Sequence, residues 1–183
     1  MAKVVTAGVD TEVEARATYR YSELAVAPVA TPTDFILIQG SASKTGRIKN
    51  IKIGGVATAA GDMPVQILRR SAAPTVGGAT LNAIVGAKHD VNDAAATCVV
   101  SRISAANLTT PGTLVPGILG VDHIQLNTVA TGVGAIDTKF EYSDNNDKPL
   151  YVRGINDYIA INLNGAAVPA GGVLDYEIEI EEE

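Results

Sequence analysis

The chain has 183 residues, of which 46% are hydrophobic, and its formal net charge at neutral pH is −6. A chain of this length fits one domain, and its apolar content excludes a disordered polypeptide. Aromatic residues make up only 4% and tryptophan is absent, so the composition predicts a core of small branched side chains.

The negative charge is concentrated at the C-terminus. Residues 175–183 contain six of the 20 acidic side chains, and the other 14 balance the 14 basic ones. We therefore expect no nucleic-acid partner, which would require a basic stripe, and no anionic membrane surface as a partner. No apolar run reaches the roughly 18 residues of a membrane span, and the N-terminus lacks the apolar segment of a signal peptide.

The first part of the chain predicts an extended N-terminal arm over residues 1–25, followed by a single domain over residues 26–183. Residues 1–17 are polar and weakly periodic. Residues 18–24 alternate loosely, which fits either a first strand or an extended segment lying on a neighbour. Two prolines make residues 25–33 a connector.

Short apolar or alternating runs then predict a series of strands. They cover residues 34–39, 47–53, 65–69, 97–103, 121–126, 136–142 and 150–153, with one further short strand near 81–85. The glycine pair at 54–55 is predicted to end the second of these strands. Residues 71–93 and 109–120 are predicted loops, and the first is long enough to suggest contact with a partner.

The last 35 residues carry the clearest pattern. Residues 157–163 and 173–180 both alternate strictly, as half-buried strands do, and the turn-forming residues 164–172 lie between them. We interpret them as a terminal β-hairpin with one dry face and one acidic face. The acidic face (Asp175, Glu177 and Glu179) is either a solvated edge whose charges prevent aggregation or a surface that meets a basic patch on a partner.

These elements amount to about nine or ten short strands with no helical periodicity, which predicts an all-β domain. Long connections among eight main strands favour an antiparallel β-sandwich with jelly-roll topology.

No pattern in the sequence predicts catalysis. His89 and His123 are the only histidines, and each is interpreted as a surface or edge residue because no third ligand is spaced for zinc. Residues 144–147 fit a turn built by Asx side chains better than a calcium loop. The segment 132–137 lacks the third glycine of a dinucleotide site. We therefore predict no catalytic, cofactor-binding or metal-binding residue, no cofactor, and no enzymatic activity.

Three further features have structural interpretations. Cys98 is the single cysteine; it excludes an intrachain disulfide and is predicted to be a small buried side chain. Asn107 begins a glycosylation acceptor sequence that we interpret as accidental. A glycan platform would have to use the six tyrosines, which are predicted mainly to pack: Tyr19, Tyr21, Tyr142, Tyr151, Tyr158 and Tyr176.

Residues 47–78, 88–107 and 148–183 resemble a class of small structural proteins of tailed-bacteriophage particles, and the block RG…YIAINLNG (residues 153–165) is the most specific part of the resemblance. The resemblance implies a single jelly roll in the virion, made in the cytoplasm of a bacterial host. Such proteins typically form homotrimers on the head surface, as decoration (cement) proteins that bind the major capsid protein, or occur in the tail or neck.

The leading hypothesis is therefore a trimeric decoration protein that clamps neighbouring capsid subunits. Tyr158 and Asn162 are expected at the trimer interface, and residues 1–17 and 71–93 are expected to reach the shell. The alternative is a tail, neck, baseplate or fibre component with a host-glycan contact. An enzyme such as a depolymerase or cupin-like oxidase would need a carboxylate pair or a histidine cluster.

Overall fold

The structure, a computed structural model, describes residues 2–6, 9–13, 16–128, 137–142 and 148–183. These residues form strands and no helix, so the predicted all-β class is confirmed. The strands are β1 (Ala2–Thr6), β2 (Val9–Val13), β3 (Ala17–Val26), β4 (Asp34–Gln39), β5 (Thr45–Ala57), β6 (Gly61–Arg70), β7 (Thr80–Ile84), β8 (Ala87–Lys88), β9 (Val99–Ser104), β10 (Leu114–Thr128), β11 (Thr138–Glu141), β12 (Leu150–Arg153), β13 (Tyr158–Asn162) and β14 (Val173–Glu182).

Twelve of these strands form one mixed sheet that curls into a half-barrel, with the order β7-β9-β4-β13-β6-β10-β5-β14-β3-β8. β12, β11 and the end of β10 pair with successive segments of β5. All neighbours are antiparallel except β10 and β5, which are parallel at Asn127–Val56 and Thr128–Ala57. The predicted purely antiparallel arrangement is therefore wrong at this one junction, where the two halves of the sheet join.

One core fills the concave side of the sheet, and both halves contribute to it. Its members are mainly branched aliphatic side chains, as the composition predicts. The fully buried isoleucines of this cluster are Ile36, Ile38, Ile48, Ile51, Ile53, Ile67, Ile124, Ile159, Ile161, Ile178 and Ile180. Phe35 and Tyr176 meet edge to face, with ring centroids 6.0 Å apart, which is a favourable aromatic geometry.

A second, smaller apolar cluster explains why β4 and β13 are buried on both faces. It contains Leu37, Leu68 and Ala160, together with Leu108 from the loop after β9. The two loops that cover this face are tied together by a backbone bridge between Thr75 and Thr110. Residues 71–79, which belong to the loop predicted to contact a partner, thus pack against the chain's own sheet.

A buried ion pair accompanies this second cluster. Arg70 donates from Nε and Nη2 to the two carboxylate oxygens of Asp34, both at 2.7 Å, and the side chains are 8% and 0% exposed. Asn162 Nδ2 donates to Asp34 Oδ1 at 2.6 Å. Because a buried charge is tolerated only when it is paired and hydrogen-bonded, this network fixes how β4, β6 and β13 sit against each other.

The predicted terminal hairpin is wrong. β13 pairs with β4 and β6, whereas β14 pairs with β3 and β5, so the two strands lie in different halves of the sheet. Both strands exist near the predicted bounds, and Leu174, Tyr176, Ile178 and Ile180 of β14 are all buried as predicted.

Two boundaries also differ from the predictions. β5 continues through Gly54 and Gly55 to Ala57, because glycines here let β14 approach closely: a Cβ at Gly55 would lie 2.2 Å from the carbonyl oxygen of Val173. The predicted loop 109–120 is strand from Leu114 onward, as the first part of the 15-residue β10.

The N-terminal region is partly inside the main sheet. β3 pairs with β14 from Ala17 to Val26, so the end of the arm predicted over residues 1–25 is a strand of the domain. β1 and β2 pair with each other in a separate two-stranded antiparallel sheet. Among the described residues, no helix is long and apolar enough to cross a membrane.

Candidate interaction surface

The first half of β10 exposes an unusual number of large apolar side chains. Ile118 is 56% exposed and Val121 is 63% exposed, and Leu114 and Leu119 are exposed as well. Over residues 114–126 this strand pairs with β6 on one side, and on its other side no described strand pairs with it. An apolar strand with an unpaired edge is a surface suited to contact with another polypeptide.

The unpaired edge exists because β10 diverges from the β5 half of the sheet. The two strands pair only at residues 127–128 of β10. Further along, Thr138 Oγ1 of β11 donates to the carbonyl oxygen of His123 at 3.1 Å. At Gly120 the space is filled by Phe140 and Tyr142, since a Cβ there would lie 2.7 Å from the Phe140 ring. Beyond this point the two halves of the sheet separate into a groove.

We call this space the β10–β12 groove; it has a volume of about 460 Å³. Its lining combines an apolar part with a predominantly basic part. The lining residues are Arg69, Leu119, Tyr142, Lys148, Pro149, Leu150, Tyr151, Arg153 and Asp157. Of these described residues three are basic and one is acidic, so this part of the groove favours negatively charged groups.

Arg153 and Lys148 provide the accessible positive charge of the groove, since both residues are exposed. The Arg153 guanidinium lies over the Tyr151 ring, 4.4 Å from its centroid, and Arg47 lies 5.9 Å from the same centroid. This cation–π contact holds the Arg153 side chain beside the groove without neutralising its charge.

Arg69 and Asp157, which both line the groove, form an ion pair. Arg69 Nη1 lies 2.5 Å from Asp157 Oδ1, and its Nη2 donates to the carbonyl oxygen of Tyr151 at 2.6 Å. Asp157 Oδ2 accepts the backbone N–H of Arg153 at 2.9 Å. The ion pair therefore provides hydrogen-bond partners for the Tyr151 carbonyl and the Arg153 N–H of β12, as a neighbouring strand would. It also connects β12 to β6 across the groove.

The acidic face of β14 is not an edge, contrary to one interpretation of its sequence. β14 lies between β3 and β5, and its carboxylates are paired within the chain. Arg20 Nη2 lies 3.1 Å from Glu179, and Arg47 Nη1 lies 3.1 Å from Glu181. Burial raises the pKa of Glu179, but the hydrogen bond from Arg20 and other basic neighbours lower it, and the net pKa is below the usual value.

Glu182, at the end of β14, binds backbone groups of the segment that precedes β9. Its carboxylate is buried and accepts the backbone N–H groups of Thr97 and Cys98 at 2.8 and 2.7 Å, as well as the Thr97 hydroxyl at 2.9 Å. Lys44 Nζ lies 3.5 Å away. Cys98 is buried as predicted, and burial together with the Glu182 charge raises the pKa of its thiol to about 12.

The histidines lie apart from one another. His89 is exposed after β8. His123 lies on β10 with Nδ1 3.0 Å from Asp62 Oδ2, and both side chains are more than half exposed. The described residues contain no group of three or more His, Cys, Asp or Glu side chains placed to hold a metal ion.

The remaining motif residues have local roles or lie outside the described residues. Residues 144–147 and 132–136 lie outside them; Asp137 forms an ion pair with Lys52 at 2.6 Å. Asn107, the first residue of the glycosylation sequence, accepts the Thr33 N–H at 2.9 Å and donates to the Thr31 carbonyl at 2.8 Å, so its amide is engaged on both sides.

The prediction that Tyr158 and Asn162 lie at a trimer interface is wrong. Both are buried within the chain, at 6% and 7% exposure. Tyr158 accepts a hydrogen bond from Gln39 at 2.9 Å, and Asn162 bonds Asp34. The strand alternation indicates two opposite faces, but the covering loops 71–79 and 105–113 bury the face that we expected at the surface.

The tyrosines are used mainly for packing, as expected. Tyr19, Tyr21, Tyr158 and Tyr176 are buried, and Tyr142 and Tyr151 are half-buried in the β10–β12 groove. The groove itself was missed by sequence reasoning, although the run LVPGILGV (114–121) carried the signal: several large apolar residues in a stretch rich in turn formers. Comparisons with protein-family models, with curated proteins and with solved structures found no match.

Proposed function

We propose that this chain is a structural component of a tailed-phage virion, namely a trimeric decoration protein that binds the outside of the head. The observation that carries the proposal is the apolar first half of β10 beside the basic groove. Its exposed apolar side chains and its outer edge, which pairs with no described strand over residues 114–126, suit it to contact with another polypeptide. The resemblance of residues 47–78, 88–107 and 148–183 to phage structural proteins supports the same function.

A single sheet built around one core suits such a role. A decoration protein stabilises a shell by burying surface on adjacent capsid subunits, and repetition around the particle lets individually modest contacts add together. The fold belongs to the proposal too: we regard the curled sheet as a jelly-roll-like sandwich, because the β4 and β5 halves face each other across one core. The proposal includes no enzymatic step and no cofactor.

The test is co-sedimentation with expanded empty heads of the phage that carries the gene, using purified protein of measured native mass. We expect a trimer that sediments with the heads and raises the temperature at which they disrupt. The native mass and the head binding of Ile118→Glu are compared with those of Leu81→Glu. Leu81 is the matched control because it is an exposed apolar residue on the edge strand β7, far from β10 in the sheet order. Heads that bind neither the wild-type protein nor either variant would refute the decoration role.

A tail, baseplate or fibre role with a glycan contact is the second candidate. It is favoured by one observation, the half-buried Tyr151 beside Arg153 and Lys148, which suits an acidic sugar. Binding of acidic oligosaccharides that is lost in Tyr151→Ala, with the protein located on tails by immunogold labelling, would establish this role instead.

A further inference from the structure

Among the described residues, β1 and β2 pair only with each other. The register of this β1–β2 hairpin runs from Ala2–Val13 to Thr6–Val9. An isolated two-stranded hairpin is marginally stable in water and needs a third strand or another surface. Addition to a further strand would therefore stabilise the hairpin.

The described part of the main sheet offers a suitable acceptor at β10. Pro116 has no N–H to donate, so the useful edge is residues 117–121, which lie beside the β10–β12 groove and include the exposed Ile118 and Val121. β2 has five residues, so the two segments have the same length. Strand addition of this kind derives affinity from main-chain hydrogen bonds and specificity from the flanking side chains.

The charges of the two segments are complementary. β2 contains Asp10 and Glu12 and β1 contains Lys3, which lies opposite Glu12 in the register; the hairpin strands therefore carry one net negative charge, whereas the groove presents the exposed Lys148 and Arg153. Complementary charges of this kind select the partner and fix the register of pairing, and juxtaposed like charges oppose it.

β3, which follows the hairpin in the chain, begins at a suitable end of the main sheet. β3 begins at Ala17, which pairs with Glu182; Glu182 pairs in turn with Gly46, and Gly46 with Val152 of β12. β3 thus begins at the end of the sheet where Arg153 lies.

We propose that the β1–β2 hairpin of one copy adds to the β10 edge of the next copy, with the carboxylates of β2 beside Lys148 and Arg153. Such a contact is heterologous, joining two different patches, and heterologous contacts form a ring such as a trimer when the rotation between successive copies closes. The inference rests on the self-association in the proposed function: it assigns the β10 edge to the contact between copies and leaves head binding to other surfaces of the trimer.

Charge reversal tests this contact. Lys148→Glu/Arg153→Glu reverses the charge of the groove, and Asp10→Lys/Glu12→Lys reverses the charge of β2. The quadruple variant reverses both charges. Lys88→Glu, at an exposed position on β8, is the control for a change in net charge. Native mass is measured by light scattering after size exclusion, and the thermal midpoint of each variant confirms that it folds.

We expect the wild type and Lys88→Glu to be trimers, each double variant to have a threefold lower mass, and the quadruple variant to recover the trimer. Double variants that remain trimeric would overturn this contact and leave the trimer of the proposed function intact. A quadruple variant that stays monomeric would also overturn it. A monomeric wild type would overturn the self-association as a whole, and the head-sedimentation assay would then decide the virion role separately.

Discussion

Replacing Arg70 by methionine should destabilise the fold strongly. The substitution keeps most of the side-chain volume but leaves the Asp34 carboxylate, which is fully buried, with Asn162 as its remaining side-chain donor. Removing one partner of a buried ion pair typically costs about 3–5 kcal/mol. Since a domain has about 5–15 kcal/mol of total stability, Arg70→Met should lower the urea midpoint by a large fraction.

The double variant Asp34→Asn/Arg70→Met separates a buried charge from simple loss of packing. Removing the stranded carboxylate should return at least about 1 kcal/mol relative to Arg70→Met, because a neutral amide costs less to bury than a charge. Urea unfolding of the three proteins at one fixed concentration provides the comparison. A double variant that is less stable than Arg70→Met, or an Arg70→Met cost below about 1 kcal/mol, would refute the ion-pair argument.

Three further predictions concern single sites. Gly120→Ala should cost about 1–3 kcal/mol in urea unfolding, because its Cβ would overlap the Phe140 ring in a packed interior; an unchanged midpoint would show that β11 does not lie against β10 there. At pH 8 Cys98 should react with a disulfide reagent about 10³-fold more slowly than an ordinary thiol, because its pKa is raised to about 12 and the thiolate is the reactive form; a rate within tenfold of glutathione would contradict this. Glu179 has a lowered folded-state pKa, so its stabilising contribution is complete above its unfolded pKa and is lost as pH falls through the folded value; the midpoint difference between wild type and Glu179→Gln should therefore shrink between pH 6 and pH 3, and a constant difference would refute it.

Strand faces were predictable from the sequence, and strand partners were not. The alternation of β14 correctly assigns Leu174, Tyr176, Ile178 and Ile180 to the core, because side-chain direction is a local property of an extended chain. Pairing is a non-local property: residues 164–172 look like a hairpin turn, yet they carry the chain from one half of the sheet to the other.

β10 was predicted only from Val121 onward, for a physical reason. Pro116, Gly117 and Gly120 are turn formers in most contexts. Here Gly117 has φ +108°, and register shifts occur at residues 114–118 and 118–120, which mark an irregular edge strand. Proline and irregular backbone are tolerated at an edge because one side of the strand needs no ladder hydrogen bonds. The same irregularity that concealed the strand accompanies an outer edge that pairs with no described strand over residues 114–126.

The acidic face of β14 shows that the missing information was partly present elsewhere in the chain. Carboxylates at every second position repel one another, so a central strand can carry them only if its neighbours supply cations on the same face. The run RIKNIKI (47–53) contains three basic residues, and Arg20 lies in β3; the charge pattern therefore indicates β5 and β3 as neighbours of β14, which is the observed order. Because these charges are satisfied within the subunit, β14 is poorly suited to recruiting a basic partner. Among the described residues, Asp157 is the one carboxylate that lines the β10–β12 groove with Lys148 and Arg153, so we expect an acidic segment from outside the subunit to bind there and not at β14.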